Sequence, residues 1–122
     1  MIERRHIQVT TLADGTKTVY TDSVNGRLMS IAYVKTSFDD GVEFVIKTES
    51  TQTPLWSEAA VNASVVKYPR AQMHTTAGAA INIIAGGEPQ VCEIPIWNER
   101  ISIAVSSGGN VKVGDFYIYV DY

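Results

Sequence analysis

The sequence predicts an all-β chain, an antiparallel β-sandwich or jelly-roll-like barrel forming one domain over residues 1–122, on three observations. The β-branched residues dominate, with 14 Val, 12 Ile and 11 Thr against 3 Leu. Branching at Cβ stiffens χ1, costs entropy in a helix and suits a pleated surface. Turn-forming groups recur at short intervals: Asp14-Gly15, Asn25-Gly26, Asp39-Asp40-Gly41, Gly86-Gly87 and Ser107-Gly108-Gly109-Asn110. Between several of them apolar and polar residues alternate with the period of two that marks a half-buried strand. Roughly eight or nine strands are expected from this spacing. At this length a chain buries roughly two-thirds of its unfolded surface, enough for a core without staples.

In chain order, residues 5–12 and 16–22 flank Asp14-Gly15 and read as a Thr-rich hairpin at an edge or exposed on one face. Residues 27–35 are apolar at both parities, as in a central strand covered on both sides. Val42, Phe44 and Ile46 alternate with Glu43 and Lys47, which gives a strand with one buried face. Leu55 to Val61 follows Pro54 and invites one or two helical turns at most. Pro69 forbids a central ladder position for residues 67–76, and residues 79–84 and 91–97 read as further strands. Ile101, Ile103 and Val105 alternate with Arg100, Ser102 and Ser106, which puts Ser102 on the solvent face. Phe116, Ile118 and Val120 form the buried face of the last strand, and the Gly-Gly turn upstream suggests a hairpin with 100–107. The expected core is therefore Val42, Phe44, Ile46, Ile101, Ile103, Val105, Phe116, Ile118 and Val120.

Composition excludes several classes of function. Ten basic and thirteen acidic side chains leave a net charge of −3, which argues against a nucleic-acid surface. No apolar run approaches the length of a membrane span, and the N-terminus lacks the apolar core of a signal peptide, so residence in a reducing cytosol is expected. Cys92 is the sole cysteine, which rules out an intrachain disulfide or a cysteine zinc cluster. Its apolar strand context suits burial better than nucleophilic use with His74 as base. His6 and His74 have no metal-spaced partner and read as surface or structural residues. Asp39-Asp40-Gly41 with Glu43 lacks calcium-loop spacing and reads as a turn. Neither glycine pair carries the Lys-Ser/Thr of a phosphate loop, and Asn62-Ala63-Ser64 has no secretion signal to make it a glycosylation site. No catalytic residue, cofactor site or metal site is assigned. Trp56 and Trp97 are core or interface anchors, or a stacking surface for a sugar or base. In the last strand Tyr117 and Tyr119 occupy the face opposite the core residues, where a solvated strand would carry Lys, Glu or Thr. That suits an inter-subunit contact, though a second covering layer within the domain would account for it equally.

The order of the short motifs carries a resemblance. After the Thr-rich N-terminal segment come Asn25-Gly26-Arg27, Ile31-Ala32-Tyr33-Val34-Lys35-Thr36, Asp40-Gly41-Val42-Glu43-Phe44, Leu55-Trp56, Asn62-Ala63-Ser64 and Tyr68-Pro69-Arg70. Gly86-Gly87-Glu88-Pro89, Glu99-Arg100-Ile101, Gly108-Gly109-Asn110 and Gly114-Asp115-Phe116 follow. Across nearly the whole chain this resembles small virion structural proteins of tailed bacteriophages, most of all β-rich capsid decoration (cement) proteins. The resemblance implies a non-enzymatic protein made in the host cytoplasm and residing on the capsid surface. It would bind the major capsid protein and bridge neighbouring subunits, and would associate with itself as a homodimer or homotrimer. No cofactor, nucleic acid or membrane would be bound, and Tyr117, Tyr119, Trp56 and Trp97 are the candidate interface residues. Two alternatives stay open: another phage component, such as a head–tail joining or tail protein, and a carbohydrate- or ligand-binding sandwich with Trp56 or Trp97 exposed beside polar groups.

Overall fold

A computed structural model describes residues 1–82, 87 and 89–122. Ten strands follow one another: β1 Ile2–Thr10, β2 Lys17–Tyr20, β3 Val24–Lys35, β4 Val42–Thr48, β5 Pro54–Val61, β6 Val65–Lys67, β7 Arg70–Gln72, β8 Val91–Glu99, β9 Ile101–Ser106 and β10 Val113–Asp121. No helix occurs among the described residues. Six strands form one antiparallel sheet in the order β1-β10-β3-β8-β7, with β6 beside β3, and four form a second in the order β2-β9-β4-β5. The sheets face each other as an open sandwich; each has two edges, so no barrel closes.

The pairing is nested. β1 pairs with β10, β2 with β9, β3 with β8, and β4 with β5, as in one long hairpin rolled up on itself. Lateral pairs β10–β3 and β9–β4 then complete the two sheets. This is jelly-roll connectivity, an antiparallel solution that joins two Greek keys across one core.

Nesting overturns both expected hairpins. β1 and β2 lie in different sheets, as do β9 and β10, so the six-residue connections 11–16 and 107–112 are arches across the sandwich. The two arches pack on one another, with the Gly108 amide donating to the Gly15 carbonyl at 3.0 Å and the Thr11 hydroxyl donating to the Gly109 carbonyl at 2.7 Å. Alternation specifies which face of a strand is buried and leaves its neighbour open, so a turn signal between two strands does not by itself make them partners. The helical expectation at Leu55 to Val61 also fails. This segment is β5, whose Trp56 pairs opposite Ile46 and whose Val61 pairs opposite Val42. Of the strand expected at 79–84, Ala80 and Asn82 make only isolated bridges to His74 and Pro89, and residues 83 and 84 lie outside the described residues, as does Gly86.

All nine expected core residues are buried to 3% exposure or less. The large sheet adds Val9, Val24, Leu28, Ile31, Tyr33, Ile94 and Ile96, while Trp56 and Leu55 come from the small sheet. An aromatic cluster ties the layers together. Phe44 meets Phe116 edge-on at 5.1 Å and Trp56 at 4.7 Å, and Tyr33 tilts against Phe44 at 5.2 Å and Phe116 at 5.3 Å. Edge-on contacts of this kind add about 0.5–1.5 kcal/mol each to the area buried. Ser102, expected in solvent, is buried instead. On the outer face of the small sheet it lies in register between Tyr20 and Lys47, both longer residues, and its hydroxyl donates to the Lys47 carbonyl at 3.2 Å.

Candidate functional site

The candidate residues divide between the core and one surface. Trp56 belongs to the core, 8% exposed, with its indole N–H donating to Glu58 at 3.2 Å. Tyr117, Tyr119 and Trp97 share the outer face of the large sheet. In β10 the two tyrosines alternate with buried Phe116, Ile118 and Val120, and in β8 Trp97 follows buried Ile96.

Register builds this face row by row. His6, Tyr117, Ala32 and Val66 lie abreast across β1, β10, β3 and β6. Gln8, Asp115 and Val34 form the row on one side, and Arg4, Tyr119 and Ser30 the row on the other. Val34 and Val66 remain 40% and 48% exposed, and both tyrosines are half-buried by their neighbours alone. β3 is central in its sheet as expected, but its second face has no covering layer among the described residues. The apolar character of residues 27–35 at both parities is thus the signature of an apolar surface. On the small sheet the outer face is of another kind: Thr18, Ala104, Val45 and Ser57 in one row, and Tyr20, Ser102 and Lys47 in the next.

Polar groups hold the aromatic rows in place. The His6 ring stacks on Tyr117 with centroids 4.6 Å apart and planes 10° from parallel, and the Arg4 guanidinium lies 5.0 Å from the Tyr117 ring centre. His6 Nε2 lies 2.7 Å from Asp115 Oδ1, and the Thr36 hydroxyl donates to Asp115 Oδ2 at 2.6 Å. Burial pushes the Asp115 carboxyl up, but hydrogen bonds from Thr36, His6 and Gln8 outweigh it and hold the group below the ordinary carboxylate range. His6 is therefore a positioning residue, as expected of a structural histidine. Asp115 occupies the middle of the Thr36–Asp115–His6 array, so Thr36 has no imidazole to take its proton.

Trp97 stands apart, at one end of the face. It is 81% exposed and borders a groove of about 770 Å³ lined by Gly26, Arg27, Pro95, Ile96 and Tyr122, with Thr51 and Thr53 reaching in from the β4–β5 turn. Arg27 pairs with Asp121 at 3.0 Å and Glu93 at 3.6 Å on the strip between Trp97 and the tyrosine rows.

The remaining candidates are dispersed. Cys92 is exposed, correcting the expected burial: it shares the parity of buried Ile94 and Ile96 but lies at the start of β8, where Val91 is exposed as well, and its Sγ lies 3.6 Å from the Ala71 carbonyl. His74 bridges to Ala80 in the following loop. Asp40 pairs with Lys35, and the Gly41 amide donates to Asn62 Oδ1 at 2.8 Å, so the Asp39-Asp40-Gly41 turn is built on its own contacts. Among the described residues no three His, Cys, Asp or Glu side chains converge on a common point. Sequence reasoning missed Val34, Val66, Arg27 and Tyr122; the double parity of residues 27–35 is the signal that pointed to Val34. Comparison with protein-family models, with curated proteins and with solved structures finds no match.

Proposed function

We propose that this chain is a virion structural protein of the tailed-phage decoration (cement) type, docking through the outer face of its six-stranded sheet onto major capsid subunits. The observation that carries the reading is the pattern of that face: Tyr117, Tyr119, Ala32, Val34 and Val66 at the centre, Arg4, His6, Gln8, Asp115 and Arg27 around them. An apolar, aromatic centre within a polar rim is the anatomy of a protein–protein contact. A net charge of −3 suits the outside of a head better than contact with packaged DNA. Jelly rolls serve capsid and lectin domains alike, so fold adds only analogy, and the face carries the argument. In this reading the chain works by adhesion alone, bridging subunits and joining with further copies of itself.

Electron cryomicroscopy of heads assembled with and without the chain tests the proposal. The expected result is additional density on the outer shell, over the boundaries between capsid subunits, into which the sandwich fits with the large sheet facing inward. Density confined to the neck or tail would replace the reading with that of a joining or tail protein. Heads that take up none of the chain would overturn it.

A further inference from the structure

The groove beside Trp97 is separate from the tyrosine rows and has its own construction. Alternation along β8 sends Ile94 and Ile96 into the core and Trp97 outward. On its C-terminal side Asn98 takes a left-handed conformation, φ 50°, and its amide donates to Asn25 Oδ1 at 2.7 Å. The partner strand β3 bulges between Val24 and Gly26 at the same level. Gly26 has φ 135°, and a Cβ there would come within 2.5 Å of the Asp121 carbonyl oxygen, so only glycine lets the bulge approach β10 so closely. The bulge in β3 and the left-handed Asn98 thus shape the backbone beside an indole left in water.

The lining selects the class of ligand. Trp97 and Tyr122, 81% and 59% exposed, offer two aromatic rings, with Pro95 and Ile96 beside them. Two rings supply at most about 500 Å², short of the roughly 800 Å² a side that a stable protein interface buries. The volume of about 770 Å³ falls within the range of small-ligand sites. The charged groups of the wall are already partnered: Arg27 is paired with Asp121 and Glu93, while Glu99 accepts from the Thr51 amide at 2.8 Å and the Thr51 hydroxyl at 3.0 Å. Carboxylates outnumber the one guanidinium around this wall, which disfavours an anionic ligand, and the wall presents hydroxyl, carboxylate and amide groups from Thr53, Glu99 and Asn25 beside flat apolar rings.

We infer that this groove binds a neutral carbohydrate, the ligand class that joins an apolar C–H ring face to a rim of hydroxyls. Trp97 and Tyr122 stack the sugar, and Glu99, Thr53 and Asn25 take its hydroxyls. The inference is independent of the capsid reading, and apart from Arg27, which borders both surfaces, it uses different residues.

Titration with a panel of neutral tetrasaccharides, namely cellotetraose, chitotetraose, mannotetraose and maltotetraose, tests it by tryptophan fluorescence and calorimetry. Trp56 is buried and Trp97 exposed, so a bound sugar should blue-shift the red edge of the emission and leave the core component unchanged. At least one member should bind with a dissociation constant near or below about 1 mM. Trp97→Ala should weaken it at least tenfold by calorimetry with the Trp56 emission and melting temperature kept, Trp97→Phe should retain part of the affinity, and the Tyr117→Ser/Tyr119→Ser variant should bind as the parent does. Silence across the panel, unchanged binding by Trp97→Ala, or binding of tetragalacturonate in preference to every neutral sugar would overturn the assignment. So would loss of particle decoration in Trp97→Ala without any sugar binding, since the groove would then belong to the capsid contact.

Discussion

Replacing both Tyr117 and Tyr119 by Ser separates a contact surface from a merely exposed one, because the two possibilities differ in magnitude. Within the monomer, Tyr117 contributes its stack on His6, about 0.5–1.5 kcal/mol, and the Arg4 guanidinium over its ring, about 0.5–1 kcal/mol at an exposed site. Tyr119 is half-buried and adds packed area of similar worth. The combined cost of about 2–5 kcal/mol is less than the roughly 6–18 kcal/mol expected for a chain of this length. The sheet signal in circular dichroism should therefore persist at 20 °C, with the melting temperature lowered by about 8–20 °C. In an interface, by contrast, a buried tyrosine anchor is worth at least about 2 kcal/mol on its own, so losing either weakens association by about 30-fold or more. Sedimentation velocity reads self-association and co-sedimentation with capsid shells reads decoration; the double Ser variant should lose one or both at concentrations where the parent is saturated. Tyr117→Phe with Tyr119→Phe keeps the rings and should lose much less. A double Ser variant that assembles and decorates like the parent, or that unfolds outright, refutes the assignment of this face.

Three further outcomes follow from the geometry. A Cβ on Gly114 would sit 2.3 Å from the ring of buried Phe38, so Gly114→Ala should destabilise by about 1–3 kcal/mol in thermal melts, and Phe38→Leu in the same chain should recover part of it, whereas additive losses would mean the two do not touch. The Tyr33 hydroxyl is buried with no hydrogen-bond partner among the described residues, and burial raises its pKa; Tyr33→Phe should therefore raise stability by about 1 kcal/mol, and a loss of that size would show that the hydroxyl is satisfied. Asp115 titrates below the ordinary carboxylate value of 3.8, so below that value the unfolded chain takes up its proton first and stability falls with pH; Asp115→Asn should flatten this acid limb, and an unchanged limb would place the acid sensitivity elsewhere.

The layers of this fold were legible and the pairing was not. Every residue on the apolar side of residues 42–46, 101–105 and 116–120 is in the core, because a period of two is imposed by the pleat itself and survives any choice of neighbour. Neighbours are chosen by closure of the whole roll. β10 finds β1 and β3, with Ile2 opposite Asp121 and Lys35 opposite Gly114, so its partners lie most of the chain's length away, and no local signal spans that distance. Asn25-Gly26, expected as a turn, is instead a bulge inside β3, and Asp14-Gly15 and Gly108-Gly109, which are turns, serve arches that pack on each other, since a six-residue connection can cross a core as readily as it can reverse a strand. At Leu55 to Val61, helix-forming Ala and Glu misled because the pairing of β5 with β4 outweighs local propensity.

For the surface, the sequence held the relevant signal in a form that pointed two ways. Residues 27–35 and 113–121 are apolar or aromatic at both parities, which is equally the mark of a sheet buried on both faces and of a sheet with one face buried and the other adhesive. The ambiguity is resolved by where the short strands lie: β6 and β7 are three residues each and sit beside β3 and β8 in the sheet, and among the described residues no layer lies over the outer rows. What remains uncovered is chemically specific. Tyrosine tolerates both water and contact, so Tyr117 and Tyr119 can wait in solvent at little cost and still anchor a partner. Trp97 is a different matter, since its indole is left 81% exposed beside the β3 bulge and the left-handed Asn98. Its exposure was invisible in the sequence, where Trp56 and Trp97 were equivalent; the difference comes from one residue of parity, Trp56 opposite Ile46 on an inner face and Trp97 one step past Ile96 on an outer one.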